Sequence, residues 1–328
     1  MAEHTGGRVL RIILDAMGGD NAPLAIVKGA LEAAPEIGDN KIALVGPKEK
    51  LYEILCEQSP EGLPHNMMIF GANDVITNND HPVKAIKSKP ESTIVTGLTI
   101  LKDELGDVFV SAGNTGALLV GGLMICGRIK GVERPAICSI YPIIGGKASL
   151  LVDAGANAEC KPRNLYEFAI MGSVYMEKVL GRENPKVGLL NIGAEAEKGT
   201  SITKKAYELL SESDLNFIGN VEARDIPDGV CDVIVADGFT GNVVLKLTEG
   251  LAGHLFRSLA HKIPKDALNG IMGDLDYSVH GGAPILGVTR PIIKMHGSSG
   301  PRAVKSAILK AIDFVETDVV GTIKDQVR

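Results

Sequence analysis

Short aliphatic segments of this chain repeatedly end in a polar, glycine-rich turn that opens a helix-like segment. The examples are RIIL before DAMGGD (11–20), VFV before SAGNTG (108–116), VIVA before DGFTGN (233–242) and IIKM before HGSSG (292–300). A glycine at a strand-to-helix junction lets backbone N–H groups approach a ligand, and the N-terminus of the helix that follows favours an anion. Four such turns, carrying Asn, Thr and Ser, predict a cleft that holds phosphate.

Strand-like and helix-like segments alternate along nearly the whole chain. Such alternation is typical of a largely parallel sheet with right-handed crossovers and helices on both faces, which is a three-layer α/β/α fold. Hydrophobic residues make up 45% of the chain, aromatic residues only 4%, and Trp is absent, which suits buried parallel strands. Residues 136–141 and 148–152 depart from this pattern and predict an antiparallel pair joined at Gly145-Gly146.

The 328 residues are enough for one α/β catalytic domain over 8–328, built as a single body or as two packed lobes. Residues 1–7 are polar and glycine-rich and predict a disordered tail, and Pro135 is a candidate lobe boundary. Two apolar stripes within 251–275 predict a protruding helical hairpin that bends near Pro264. Periodicity alone leaves open whether these stripes pack in the core, form a dimer interface or touch lipid.

Composition also excludes several functional classes. The net charge is −6 with both signs interspersed, which argues against a nucleic-acid partner. No apolar run reaches the roughly 18 residues that span a bilayer, and no secretory signal is recognisable. The five Cys are scattered without a CxxC spacing and the seven His form no close pair, so we expect free thiols in a reducing cytosol and no metal site.

The familiar nucleotide and nucleophile motifs are missing, since the chain has no GxGxxG dinucleotide fingerprint, no Walker A loop and no GxSxG elbow. The chemistry that remains is catalysis by positioning of the reactants and by electrostatic stabilisation. Lys198 follows a predicted strand and could stabilise a negative oxygen, although spacing alone favours a solvated Lys in an acidic turn. Asn242 and Asn114 could bind a ligand or cap a helix, and His296 and Ser298 could bind a ligand or hold a loop.

A series of longer motifs makes the assignment far more specific. In chain order they are DAMGGD with AP after it (15–23), SAGNTGA (111–117), GRIKG (127–131), RPA (134–136), DAGAN (153–157), IMGS (170–173), NIG (191–193), DGFTGN (237–242), GGAP (281–284) and HGSS (296–299). With these motifs the chain resembles the PlsX-type phosphate acyltransferases of bacteria over nearly its whole length. Those enzymes make acyl-phosphate from acyl-acyl-carrier protein and inorganic phosphate.

The resemblance implies a phosphotransacetylase- and isocitrate-dehydrogenase-like fold, a homodimer, and peripheral membrane association of a cytoplasmic protein through the hairpin. It implies that Lys198 and Asn242 are catalytic. With the glycine turns, it places phosphate or substrate against Asp15, Gly18, Gly19, Asn114, Thr115, Gly116, Asn157, Gly241, His296 and Ser298. No cofactor or metal is expected, because phosphopantetheine enters on the acyl-carrier protein. The product would pass to a membrane glycerol-3-phosphate acyltransferase.

One feature departs from the family pattern. The turn before Lys198 usually carries adjacent acidic residues and an Asn after the Lys-Gly pair, whereas here Ala196 separates Glu195 from Glu197 and Thr200 follows Gly199.

The alternative functions are a CoA-dependent phosphotransacetylase of the same fold, a hydride-transferring dehydrogenase, and a non-catalytic membrane scaffold for lipid synthesis.

Overall fold

The computed structural model describes residues 8–143, 145, 147–260 and 282–327. These residues form two compact units. The first unit comprises the described residues of Met1–Gly127 and Val288–Glu316, and the second those of Arg128–Gly287 and Thr317–Arg328. The predicted tail over 1–7 and the predicted hairpin from residue 261 onward lie outside the described residues.

The first unit contains an all-parallel sheet. Its strands, numbered along the chain, are β1 (Arg11–Asp15), β2 (Lys41–Gly46), β3 (Met67–Gly71), β4 (Val108–Ser111) and β11 (Ile292–Lys294). They lie in the order β3-β2-β1-β4-β11, and each neighbouring pair is parallel. The helices are α1 (Leu24–Ala33), α2 (Lys48–Gln58), α3 (Pro82–Ser88), α4 (Thr93–Lys102), α5 (Thr115–Gly121) and α9 (Pro301–Glu316).

The first unit's core is aliphatic, as the composition predicts, with one large aromatic side chain at its centre. Phe109 of β4 is fully buried, and it occupies the space that a side chain on Gly97 of α4 would need. A Cβ at Gly97 would lie 2.2 Å from Phe109 Cε2. The absence of a side chain there lets α4 pack closely on the central strands.

The second unit has a mixed sheet. Its strands are β5 (Ala136–Ile143), β6 (Lys147–Val152), β7 (Val187–Asn191), β8 (Phe217–Glu222), β9 (Val233–Val235) and β10 (Ala283–Leu286), in the order β10-β5-β6-β9-β7-β8. Both pairs that involve β5 are antiparallel, and the remaining pairs are parallel. The helices are α6 (Pro162–Leu180), α7 (Ser201–Ser211), α8 (Gly238–Leu259) and α10 (Val319–Gln326). Within the described residues, no helix is long and apolar enough to cross a membrane.

Most of the predicted elements are confirmed: the antiparallel pair β5-β6, the helix that the pattern predicts over 162–180 (α6) and the strand that it predicts over 187–191 (β7). The pattern also predicts a single terminal helix over 301–320, and this prediction is wrong. The helix is interrupted before Val319, because Asp318 adopts a left-handed conformation (φ +48°) and its carboxylate caps α10 by accepting from Gly321 N (3.1 Å). Strand β10 was not predicted, because Pro284 argues against a strand.

Candidate active site

Strand order makes one edge of the first unit's sheet a candidate ligand site. The chain runs outward from β1 to β2 and β3 and then returns to place β4 on the other side of β1. Ligands of open α/β sheets bind beyond the carboxyl ends of the strands at such a reversal. The turns after β1, β4 and β11 all leave this edge, and they carry most of the residues predicted to bind phosphate or substrate.

Asp15 joins the first two of these turns. Its carboxylate is fully buried, Ser111 Oγ donates to Oδ2 (2.6 Å) and Met17 N donates to Oδ1 (3.1 Å). Burial raises the pKa of Asp15, and the hydrogen bonds from the Ser111 hydroxyl and the Met17 N–H partly offset that rise. The carboxylate therefore organises the turn from inside.

Two glycines let the turns approach each other closely. A Cβ at Gly18 would lie 2.6 Å from Gly113 N, and a Cβ at Gly19 would lie 2.8 Å from Gly297 O. Asp20 N donates to that same Gly297 carbonyl (2.7 Å). The structure thus brings the predicted DAMGGD, SAGNTG and HGSSG motifs together, with α9 beginning immediately after the last of them.

The polar side chains of these turns have different roles. Asn114 caps α5, because its Oδ1 accepts from Ala117 N (2.9 Å) and its Nδ2 donates to Thr77 O (3.0 Å), so the capping interpretation is confirmed. Thr115 and Gly116 form the first turn of α5. His296 is exposed, and Ser298 N donates to its Nδ1 (3.2 Å). A neutral His296 therefore carries its proton on Nε2, where it can donate to an anion.

A second reversal of strand order lies in the second unit. The chain runs from β7 outward to β8 and then returns to place β9 on the other side of β7, parallel to it. Lys198 lies in the turn after β7, and Asn242 lies in α8, which follows β9. The two predicted catalytic residues therefore leave the same edge of the sheet on adjacent strands, at the position where such sheets bind ligands.

The turn that carries Lys198 is held by its backbone. Asn220 Nδ2 donates to Glu195 O (2.7 Å), Asn191 Nδ2 donates to Lys198 O (3.2 Å) and Lys198 N donates to Glu195 O (3.1 Å). Thr200 Oγ1 accepts from Thr203 N (3.2 Å) and so caps α7, a task that Asn performs equally well. The substitution of Thr for the family's usual Asn therefore keeps the start of α7 intact.

The Lys198 side chain is exposed, and within the described residues its ammonium forms no ion pair with Glu195 or Glu197. The acidic neighbours thus leave Lys198 available for a ligand. A ligand-binding Lys requires such an unpaired ammonium, and a solvated Lys would show the same geometry.

The sequence pattern predicts a helix that begins at Asn242, with capping as one of the two roles open to that residue. Both the start and the capping role are wrong, because α8 begins at Gly238. Asp237 is the N-cap: its Oδ1 accepts from Thr240 N (2.8 Å) and its Oδ2 accepts from Thr240 Oγ1 (3.0 Å). Asn242 lies in the second turn of α8, is exposed, and makes no side-chain hydrogen bond to any described residue. Its amide is therefore free to donate to a substrate oxygen.

A buried carboxylate that the motif analysis did not single out supports this end of α8. Asp153 follows β6 and accepts from the backbone N–H groups of the DAGAN turn. Asn157 is buried with it and donates through Nδ2 to Asp153 Oδ2 (2.8 Å) and to Pro135 O (2.7 Å). Asn157 thus holds the turn in place. Burial raises the pKa of Asp153, and the hydrogen bonds from Ala156 and Asn157 partly offset that rise.

Ser111 and Asp153 are the supporting residues that sequence reasoning missed as members of the site. Both belong to motifs that were recognised, SAGNTGA and DAGAN. The available signal was that each follows a run of aliphatic residues, Ser111 at the last position of β4 and Asp153 directly after β6.

Comparisons with known proteins concern the family and the fold of the chain. The model of a family described as "Fatty acid synthesis protein" matches residues 10–322. A "Phosphate acyltransferase" of Alkaliphilus oremlandii is 48% identical over 331 residues, covering 97% of each chain. A protein of the same name from Acetivibrio thermocellus is 49% identical over 327 residues, covering 96% of each chain.

Among solved structures, a phosphotransacetylase from Streptococcus pyogenes matches with a TM-score of 0.68 and 17% identity, covering 94% of this chain and 95% of that one. This likeness concerns the fold alone. It confirms the predicted phosphotransacetylase-like α/β architecture.

Proposed function

Because the chain belongs to the fatty acid synthesis protein family, whose relatives are named phosphate acyltransferases, we propose that it transfers a fatty acyl group from acyl-carrier protein to inorganic phosphate. The chain is an acyltransferase, and the predicted resemblance to phosphate acyltransferases is confirmed. The proposal adds the carrier protein as donor and acyl-phosphate, a precursor for phosphatidic acid synthesis, as product.

In the proposed reaction an oxygen of phosphate attacks the thioester carbonyl of the acyl group. The C–S bond breaks, the thiolate of phosphopantetheine leaves, and acyl-phosphate is released. The carbonyl oxygen becomes negative in the tetrahedral intermediate, so fixed donors aimed at it lower the barrier. We assign this task to the Lys198 ammonium and the Asn242 amide.

The observation that carries the proposal is the placement of these two side chains. Both are exposed, both leave the carboxyl end of adjacent parallel strands, and neither is engaged by another described side chain. The glycine turns of the first unit, with the Nε2 proton of His296, are proposed to bind a phosphate group of the reactants.

Thiol release from acyl-carrier protein, measured with and without added phosphate, tests the activity. We expect release to require phosphate and to be much faster with acyl-carrier protein than with acyl-CoA; preference for acyl-CoA would instead identify a CoA-dependent phosphotransacetylase. Lys198→Ala and Asn242→Ala should each lower kcat by about 100- to 1,000-fold, as removal of one oxyanion donor does.

Lys205→Ala is the matched control for Lys198→Ala, because Lys205 is an exposed lysine of the adjacent helix α7. Its kcat should equal that of the wild type. Wild-type kcat in Lys198→Ala or Asn242→Ala, at equal folded fraction, would remove that residue from the mechanism.

The proposed homodimer is supported by an exposed apolar ridge on α8. Its members recur every four residues and are 49–67% exposed: Phe239, Val243, Leu247, Leu251 and Leu255. Ridges of this spacing pack against each other in the commonest class of helix pairs. Leu247→Glu with Leu251→Glu should shift the protein towards monomer in analytical ultracentrifugation. Tyr52→Glu, at an exposed position of α2, should leave the dimer intact; a dimer that survives the double substitution places the interface elsewhere.

The proposed membrane contact involves residues outside the described part of the chain. Ile263→Glu with Lys265→Glu, at the predicted bend, should weaken co-sedimentation with anionic liposomes while the dimer persists. Unchanged liposome binding would show that the bend is not the contact. Such a contact would deliver acyl-phosphate to a glycerol-3-phosphate acyltransferase in the membrane.

A further inference from the structure

Asp153 is a densely hydrogen-bonded carboxylate of the second unit. It is fully buried directly after β6. Its Oδ1 accepts from the backbone N–H groups of Ile137 (3.1 Å), Gly155 (3.0 Å) and Ala156 (2.9 Å), and its Oδ2 accepts from Asn157 N (2.7 Å) and Asn157 Nδ2 (2.8 Å). One side chain thus fixes the whole DAGAN turn, and it ties that turn to strand β5.

The DAGAN turn is in direct contact with the start of α8. Gly238 N donates to Asn157 O (2.7 Å), and a Cβ at Gly238 would lie 2.8 Å from Asp153 Oδ2. A Cβ at Gly241 would lie 1.9 Å from Asp153 O, so the helix backbone rests on the backbone of Asp153. Gly238 and Gly241 of α8 are therefore held in place by Asp153 and by the turn that it fixes.

The same turn is adjacent to the Asn242 side chain. A Cβ built on Gly155 would lie 3.4 Å from Asn242 Oδ1 and 3.6 Å from Asn242 Cβ. Gly155 has φ +139°, a conformation that suits glycine, and its N–H is held by Asp153. The surface against which Asn242 lies is thus the outer side of the turn whose inner side Asp153 binds.

We propose that Asp153 is a positioning residue for Asn242: its carboxylate fixes the DAGAN turn and the start of α8 in the geometry that aims the Asn242 amide at the reacting carbonyl. The inference rests on the proposed role of Asn242. Asp153 does not touch substrate in this arrangement, because its oxygens are buried and occupied by N–H donors of the protein. The burial that raises the pKa of Asp153 is consistent with a group retained for the geometry it imposes.

Asp153→Asn tests the inference, because the amide turns an N–H₂ group towards N–H donors and breaks part of the network. A displacement of about 1 Å at a catalytic group costs up to about 100-fold in rate, so we expect kcat to fall by about 10- to 100-fold. KM for the acyl donor should change by less than about threefold, because a transition-state contact is what is lost. Asn157→Ala removes one of the donors to Asp153 Oδ2, together with the hydrogen bond to Pro135 O, and should lower kcat by about threefold to tenfold. It replaces Asp153→Asn if that variant does not fold.

Glu167→Gln is the matched control. Glu167 is a fully buried carboxylate of α6 in the same unit, and it accepts from Glu133 N (2.7 Å) and Arg163 Nε (3.0 Å). It should lose stability without losing kcat per folded molecule. An equal loss of kcat in Glu167→Gln would show that any weakened buried carboxylate impairs the enzyme, and would overturn the inference.

The decisive measurement is a double-mutant cycle with Asn242→Ala. If Asp153 acts through Asn242, Asp153→Asn should lower kcat by less than about threefold in the Asn242→Ala background. The same fold-loss in both backgrounds, or wild-type kcat in Asp153→Asn, would overturn the inference and leave the proposed function standing. Wild-type kcat in Asn242→Ala would refute the role of Asn242 and the inference together.

Discussion

Gly241→Ala is the substitution for which the structure predicts the sharpest effect. The new Cβ would lie 1.9 Å from the carbonyl oxygen of Asp153 and 3.0 Å from its carbonyl carbon. Both atoms belong to the backbone next to β6, so no side-chain rotation relieves the overlap. Ordinary contact begins at about 3.4 Å, so the start of α8 must move away by about 1.5 Å.

That displacement affects both stability and turnover. Overpacking of a buried contact typically costs about 1–3 kcal/mol, so the free energy of unfolding should fall by that amount. Asn242 is the next residue in the helix and moves with it. A misplacement of 1 Å or more at a catalytic group lowers the rate by about 100-fold, which is the fall in kcat that we expect.

Urea unfolding and phosphate-dependent thiol release measure the two effects. Gly250→Ala is the matched control, because Gly250 belongs to the same helix and a Cβ there meets nothing within 4 Å. Alanine is the better helix former, so this control should gain about 0.5–1 kcal/mol at unchanged kcat. Wild-type stability and kcat in Gly241→Ala would show that α8 does not rest on the Asp153 carbonyl and would refute the reasoning.

Three further predictions follow from the structure. Burial raises the pKa of Cys126 to about 11 and of Cys160 and Cys231 to about 12. At pH 8 iodoacetamide should therefore label the exposed Cys56 in the folded protein and these three thiols only after unfolding. Rapid labelling of the three thiols in the folded protein would contradict the fold. Burial raises the pKa of Asp15 in the folded protein above its ordinary value of 3.8. Between that value and the folded-state pKa the unfolded chain has already lost the proton that the folded protein keeps, so the free energy of unfolding should fall as pH rises over this range. Asp15→Asn should flatten this dependence of the unfolding free energy on pH. An unchanged slope in the variant would show that other groups cause the dependence. A Cβ at Gly113 would lie 3.1–3.2 Å from its nearest neighbours, so Gly113→Ala should fold and raise KM for phosphate by about tenfold, whereas an unchanged KM removes this turn from phosphate binding.

The sequence predicted the elements and the edge of the sheet at which the site lies, because both depend on local patterns. Buried aliphatic runs define the strands, and a glycine turn after a strand must lie at its carboxyl end. The supporting roles of Ser111 and Asp153 could not be predicted, because they depend on which N–H groups and hydroxyls face a carboxylate in three dimensions. The start of α8 was misplaced for a similar reason: Asp237 and Asn242 are both plausible caps in sequence, and only the backbone of DGFTGN distinguishes them.

Both units place a buried aspartate at the start of a turn beside a site proposed to bind an anion or an oxyanion. A carboxylate there would repel such a ligand if it faced outward. Asp15 and Asp153 instead face inward and accept hydrogen bonds from the protein, Asp15 from the Ser111 hydroxyl and Asp153 from the DAGAN backbone. Each carboxylate thereby fixes the backbone of a turn at the cost of its own desolvation.

Each unit has its own donors: the second unit has the Lys198 ammonium and the Asn242 amide, and the first unit has the His296 imidazole and the N-terminus of α9 behind the HGSSG turn. A fixed set of donors needs no reorganisation when negative charge develops, and this is the property that oxyanion stabilisation requires. Asp153→Asn and Asp15→Asn therefore alter the rigidity of the donors and leave their number unchanged. For this reason both variants should retain the requirement for phosphate while they turn over more slowly.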